Sequence, residues 1–214
     1  NNGQPDLLAG NAGLNFKIKA SVDRPMKLYI DDYDENGQPD PIILYDFFGQ
    51  DVPFASKDKL TGQLPSLKKK FLSYTNFSKM KGIEDLTGKK EIEILETRKI
   101  QELKSMAYLN LGENMKAVPL PKDAQMSTIE DFEITEDGKV LYVGNYLDYT
   151  TELGQSSSNS GGQLTINEKM EIEAAGRLRL PKGLNARRII SLSNNQFLVI
   201  ANNDRSYIIS AANK

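Results

Sequence analysis

The pentapeptide Asn-Gly-Gln-Pro-Asp occurs twice, at residues 2–6 and 36–40, and an apolar run follows it each time. Two weaker copies lie further on, EDGKVLYVGN at 136–145 and NNQFLVIANND at 194–204, each a polar turn leading into an apolar run that ends in a small residue and Asn. A spaced repetition of this kind limits the fold more than any other feature of the chain, because it calls for one supersecondary unit used several times. Apolar runs also precede three of the copies: MKLYI at 26–30, EDFEI at 130–134 and RRIISL at 187–192. Run, turn, run is the pattern of a β-hairpin. Further hairpins are predicted at 107–120, turning at Gly112-Glu113-Asn114, and at 163–174, turning near Asn167-Glu168-Lys169. Two hairpins in succession make a four-stranded antiparallel unit, the size of a propeller blade. The expected fold is mainly β, a partial β-propeller of about three to four blades within one propeller-type domain spanning 1–214. A sandwich built from similar hairpins is the alternative.

The strand pattern breaks between residues 53 and 104. Leu60, Leu64, Leu67 and Phe71 recur at helical spacing. Pro65 divides them into two short helices, the second starting near that proline. Thr75 is the expected cap of a further turn through Phe77 and Met80. Helical turns are expected again between Glu84 and Glu93, then a strand near Leu95 to Ile100. The reading is a mostly helical insertion, densest over 53–94. The stretch 150–162, TTELGQSSSNSGG, reads as a long polar surface loop.

The stretch DDYDENGQPD at 31–40 carries the clearest chemistry. Asp32, Asp34 and Asn36 occupy alternate positions, so their oxygens can converge while the intervening side chains point away. Gly37 permits a reversal that turns the Gln38 carbonyl inward, and Asp40 closes the ring. A hard cation that takes six to eight oxygen ligands suits this set, which points to calcium. The competing reading is a solvated acidic hairpin turn, since Asp, Asn and Gly favour turns without any metal. An EF-hand is excluded: its twelfth position would be Ile43, and strands rather than helices flank the loop. Asn2, Gly3 and Asp6 match only the second half of the same loop. The chain is therefore expected to be the C-terminal part of a larger propeller, its open edges covered by further blades or by a neighbouring copy.

The chain contains neither cysteine nor histidine, which removes thiolate chemistry, the Ser-His-Asp triad and the usual zinc ligands. The formal charge of −2 gives no general attraction to nucleic acid. Residues 57–104 hold 12 Lys/Arg against 7 Asp/Glu, and LKKKF at 67–71 stands beside aromatic residues. The polar face of an amphipathic helix accounts for that pattern without a nucleic-acid ligand. The loop SSSNSGG at 156–162 lacks the Lys-Ser/Thr ending of a phosphate loop. Asp131, Glu133 and Glu136 are the carboxylates that could serve glycoside hydrolysis, and they fit equally well as the wet face of a strand. No catalytic residue is assigned.

The motif DxDxNGxxD, followed by an apolar strand ending in Gly-Asn, resembles the FG-GAP/VCBS repeat, a calcium-binding propeller blade. The stretches VPFASKDKLTGQLPSLKKKF, AVPLPKDAQMS and VGNYLDYTTELGQ resemble a bacterial branch related to ASPIC/UnbV proteins and cartilage acidic protein. The likeness spans most of the chain, but only residues 32–40 match the metal motif in full, and residues 136–140 depart from it. The resemblance implies a non-catalytic binding or scaffold module in the extracellular space, at the cell surface or in the periplasm. Its ligand would be a protein or a glycan, with no nucleic acid and no transmembrane segment. The alternative is a carbohydrate-active enzyme or its accessory glycan-binding domain.

Overall fold

A computed structural model describes residues 3–150, 153–167, 169 and 171–210. The expectations for Asn2, for residues 151 and 152 of the polar loop and for Glu168 lie outside the described residues. The fold is mainly β, with four antiparallel sheets of three or four strands, none closed on itself. The chain divides into two compact units, residues 18–102 and residues 1–17 with 103–214. No described helix is long and apolar enough to cross a membrane.

In the unit 18–102, β2 (Met26–Asp31) and β3 (Asp40–Phe47) form a hairpin in which Asp31 pairs with Asp40. Strand β1 (Leu7–Ala9) belongs to the other unit. Strands β4 (Gln50–Pro53) and β5 (Glu96–Ile100) flank the hairpin, giving the order β4-β3-β2-β5. Alternate residues of β3, Ile42 and Leu44, are buried with Tyr29 of β2 against the helical segment. Period-two alternation in a strand with one covered face gives that pattern.

The helices are short. In α1 (Lys57–Gln63) the Ser56 hydroxyl accepts the Lys59 amide, and the helix closes where the Leu64 amide donates to the Leu60 carbonyl. Pro65 follows, and α2 (Leu67–Lys70) begins after it, as the sequence predicts. Leu60, Leu64, Leu67 and Phe71 are all buried in one core with Ile83 and Leu86 of α4 (Gly82–Thr87). The cap of α3 (Tyr74–Phe77) is Ser73, whose hydroxyl accepts the Asn76 amide at 3.2 Å, and not Thr75. Ser73 has the extended backbone that a cap needs, whereas Thr75 already lies within the turn. These helices share their core with β2 and β3, within the compact unit 18–102.

Lys68, Lys69 and Lys70 are exposed beside buried Leu67. Changing all three to glutamate should alter unfolding free energy by about 1 kcal/mol or less, since exposed substitutions rarely do more. Urea denaturation checks this, and failure to recover folded protein would contradict the packing.

The second unit holds three sheets. Strand β1 pairs with β6 (Met106–Asn110), which turns at Gly112 into β7 (Met115–Pro119). Strands β8 (Ile129–Ile134), β9 (Val140–Gly144), β10 (Gly162–Ile166) and β11 (Ile172–Arg177) form a four-stranded meander. Strands β12 (Ala186–Ser191), β13 (Gln196–Ala201) and β14 (Tyr207–Ser210) form the third sheet. Both predicted hairpins, 107–120 and 163–174, are present.

The sheets pack in succession around the meander. Val140 and Tyr142 of β9 join Ala107, Leu109 and Leu164 in one core. Leu141 and Val143 join Ile189, Phe197 and Val199 in another. A strand covered on both faces needs a continuous apolar run, which is why VLYVG shows no alternation. The closing glycine also has a packing cause. A Cβ on Gly144 would collide with the Thr128 carbonyl, and one on Gly10, the matching end of β1, with the Ile129 carbonyl.

Candidate metal centre

The loop between β2 and β3 is shaped by its own acids. Asp32 accepts the Asn36 amide at 3.0 Å on one oxygen and the Gly37 amide at 2.8 Å on the other. The Asn36 amide also lies 3.3 Å from Asp34 Oδ1, and Asn36 Oδ1 accepts the Gln38 amide at 2.8 Å. Asp40 Oδ2 accepts the Tyr33 amide at 3.2 Å, which fastens the start of the loop to its end. Gly37 takes the left-handed φ of 85° that the reversal requires. Glu35 does so as well, at 60°.

This folding gathers Asp32, Asp34 and Asp40, with one carboxylate oxygen of each within 4.8 Å of the others. Calcium–oxygen bonds of about 2.3–2.6 Å place ligands on opposite sides of the ion roughly 5 Å apart, so one cation can touch all three. Both oxygens of Asp32 accept amides, and a carboxylate offers about four acceptor positions, which leaves room for a metal. Asp40 is buried, Asp32 half-buried and Asp34 exposed, so the site has a fixed floor and an open mouth. Asn36 and Gln38 are exposed at the rim, tied to each other through the Gln38 amide. With only oxygen donors, and no histidine or cysteine in the chain, the set fits a hard cation.

Two residues missing from the sequence reading bear on the charge. Asp31 is buried beside the loop, with Oδ1 accepting the Asp32 amide at 2.8 Å. Its Oδ2 faces Lys89 Nζ at 3.0 Å, an ion pair without a well-directed hydrogen bond. Lys89 also stands 5.6 Å over the Tyr33 ring. Asp31 was visible in the sequence as the first of two adjacent aspartates, whereas no local pattern could bring Lys89 to it.

The Gly37 amide, joined by the Asn36 amide and opposed by partial desolvation, holds the Asp32 carboxyl below the ordinary carboxylate value. A carboxyl lowered in the folded state stabilises it above the unfolded pKa, near 3.9, and that contribution is lost as pH falls through the folded value. Protons also compete for the same oxygens. Affinity for a calcium ion held by these oxygens would therefore change little between pH 7 and pH 5 and fall steeply below about pH 4, as calorimetric titration would show.

Of the other acidic candidates, Glu133 is half-buried on β8. Asp131 Oδ2 accepts the Ile189 amide at 3.0 Å and links two sheets. Glu136 is exposed, and its neighbour Asp137 pairs with Lys139 at 2.6 Å. That lysine supplies the positive charge in the turn at 136–140, where the motif lacks its spaced ligands. Asp6 accepts the Asn110 amide at 2.8 Å. No family model matches the chain, and no curated protein or solved structure is significantly similar to it.

Proposed function

We propose that residues 31–40 are a calcium loop that stiffens one sheet of a non-catalytic binding or scaffold module of FG-GAP/VCBS type. The observation that carries this reading is the convergence of Asp32, Asp34 and Asp40 within 4.8 Å. Three carboxylates so close repel one another strongly unless a cation sits between them. A bound ion would lock the hairpin turn and, with it, the register of β2 against β3. Asn36 and the Gln38 carbonyl would complete the oxygen shell. Such a module would work outside the cytoplasm, where calcium is abundant enough for sites of modest affinity. Its ligand would be a protein or a glycan, and the remaining blades of a larger propeller, or a second copy, would cover the open sheet edges.

A glycan array probed with and without chelator tests the reading. Retained ligand without product is the expected result. Product formation would replace it with the enzyme reading.

A further inference from the structure

A second site candidate lies in the unit 1–17 with 103–214, away from any motif. Tyr142, Gly162 and Arg177 stand opposite one another in the register of β9, β10 and β11. Residues directly paired across adjacent strands share one face of the sheet. Gly162 has no side chain there, and the Tyr142 ring lies over it: a Cβ at Gly162 would collide with the phenol. Tyr142 is 4% exposed as a residue, but its hydroxyl is not a buried, unpartnered atom and opens to the cavity that it lines. A tyrosine placed in this way offers an apolar ring and a wet hydroxyl to whatever enters.

The phenol borders a cavity of about 220 Å³ that Ser158, Ser160 and Met126 also line. The Arg177 guanidinium and Asp123 form its wall as an ion pair, at 3.1 and 3.4 Å. Burial, then the nearby Asp123 charge, pushes the phenol up to about 12, so it stays a neutral donor at any ordinary pH. The rim is built. Asn159 is buried, accepts the Gly161 amide at 2.8 Å and is itself held by Asn145.

Charge and size narrow the occupant. One cation and one anion leave the cavity balanced, which disfavours a simple anion such as phosphate. Hydroxyls and a guanidinium–carboxylate pair together offer the donors and acceptors that vicinal hydroxyl groups need. The volume lies below the roughly 300–1,000 Å³ of pockets for drug-sized ligands, so it suits a single small ring. Beside it runs a groove of about 900 Å³ that shares Arg177 and Ser160. Lys139, Arg179 and Lys182 line the groove, and no carboxylate does. Lys139 is answered by Asp137, but Arg179 and Lys182 have no acidic partner among the described residues. A balanced, hydroxyl-lined cavity that shares Ser160 and Arg177 with a cationic groove matches a chain of sugar rings bearing acidic groups.

We propose that this cavity and groove bind an acidic oligosaccharide, one ring seated over Tyr142 and neighbouring carboxylates or sulfates along Arg179 and Lys182. The assignment rests on the reading of the chain as a binding module, but not on the calcium loop, which belongs to the other unit.

Calorimetric titration with hexasaccharides of chondroitin sulfate, alginate and polygalacturonate, with maltohexaose and hexaglutamate as comparisons, tests it in calcium and in EDTA. At least one acidic saccharide should bind better than both comparisons. Tyr142→Phe should weaken that binding about five- to tenfold, the range for losing one hydrogen bond, without lowering the melting temperature. A hydroxyl with a structural role would lower it. Arg179→Glu with Lys182→Glu should weaken the acidic saccharide further at low salt than at high salt. The calcium-loop variant Asp34→Ala should leave saccharide binding intact in EDTA. Cleavage of the saccharide would overturn the non-catalytic reading yet keep the site, provided Tyr142→Phe still weakens binding. Binding by none of the acidic saccharides, equal binding in the variants, or equal binding of hexaglutamate would overturn the site.

Discussion

Replacing Asn145 by alanine is expected to lower the unfolding free energy of the sheet unit by about 3–5 kcal/mol, near the top of the range for single substitutions. Asn145 is fully buried at the end of β9. Its amide nitrogen donates to the carbonyls of Asn159 at 2.7 Å and Leu184 at 2.8 Å, and its oxygen accepts the Asn159 amide at 2.8 Å. Alanine would leave two carbonyls and one amide without partners in the interior, each costing about 1–3 kcal/mol. The backbone adds to this, because Asn145 has φ of 100°, where alanine is strained more than asparagine. At roughly 2–4 °C per kcal/mol for a domain of this size, the melting temperature should fall by about 10 °C. Denaturant titration with an unchanged slope is the measurement. A loss under about 1 kcal/mol would mean that water reaches these groups.

The same residue shows how far the sequence could be read. Asn closing an apolar strand recurs in the repeat copies, so its position was legible from residues 145 and 202 alone. Its role was not, because Asn159 and Leu184 meet it only through the fold. The acidic loop at 31–40 was the opposite case. Its candidate ligands lie within nine residues, so local spacing brings Asp32, Asp34 and Asp40 together. Lys89 escaped, since an ion pair with Asp31 leaves no trace at either end of the chain segment. Most strands followed from apolar runs and turn residues, including β9, whose unbroken run reflects burial on both faces, but β4 and β14 were not foreseen. The cap of α3 was misplaced by two residues, because serine and threonine are equally good caps and only backbone geometry separates them. Tyr142, Gly162 and Arg177 carry no sequence signal, for the row exists only in the register of three strands.

The second large effect concerns the loop itself. At a calcium concentration about a hundred times its dissociation constant, binding to the folded state alone adds about 2.7 kcal/mol. Over a compact unit of residues 18–102, that corresponds to a rise in melting temperature of roughly 10–20 °C. Asp34→Ala removes one of three converging carboxylates from the exposed mouth of the site, so it should abolish the rise while leaving the fold in place. In EDTA the variant should be at least as stable as the natural sequence, because removing one carboxylate relieves repulsion between the other two. A structural aspartate would behave differently, lowering stability in both conditions.

The most direct test is therefore the melting temperature of the natural chain and of Asp34→Ala, each measured in calcium and in EDTA. The loop described here predicts a large calcium-dependent rise in the natural chain and none in the variant. Identical melting of the natural chain in calcium and in EDTA would show that residues 31–40 are an acidic turn and hold no metal.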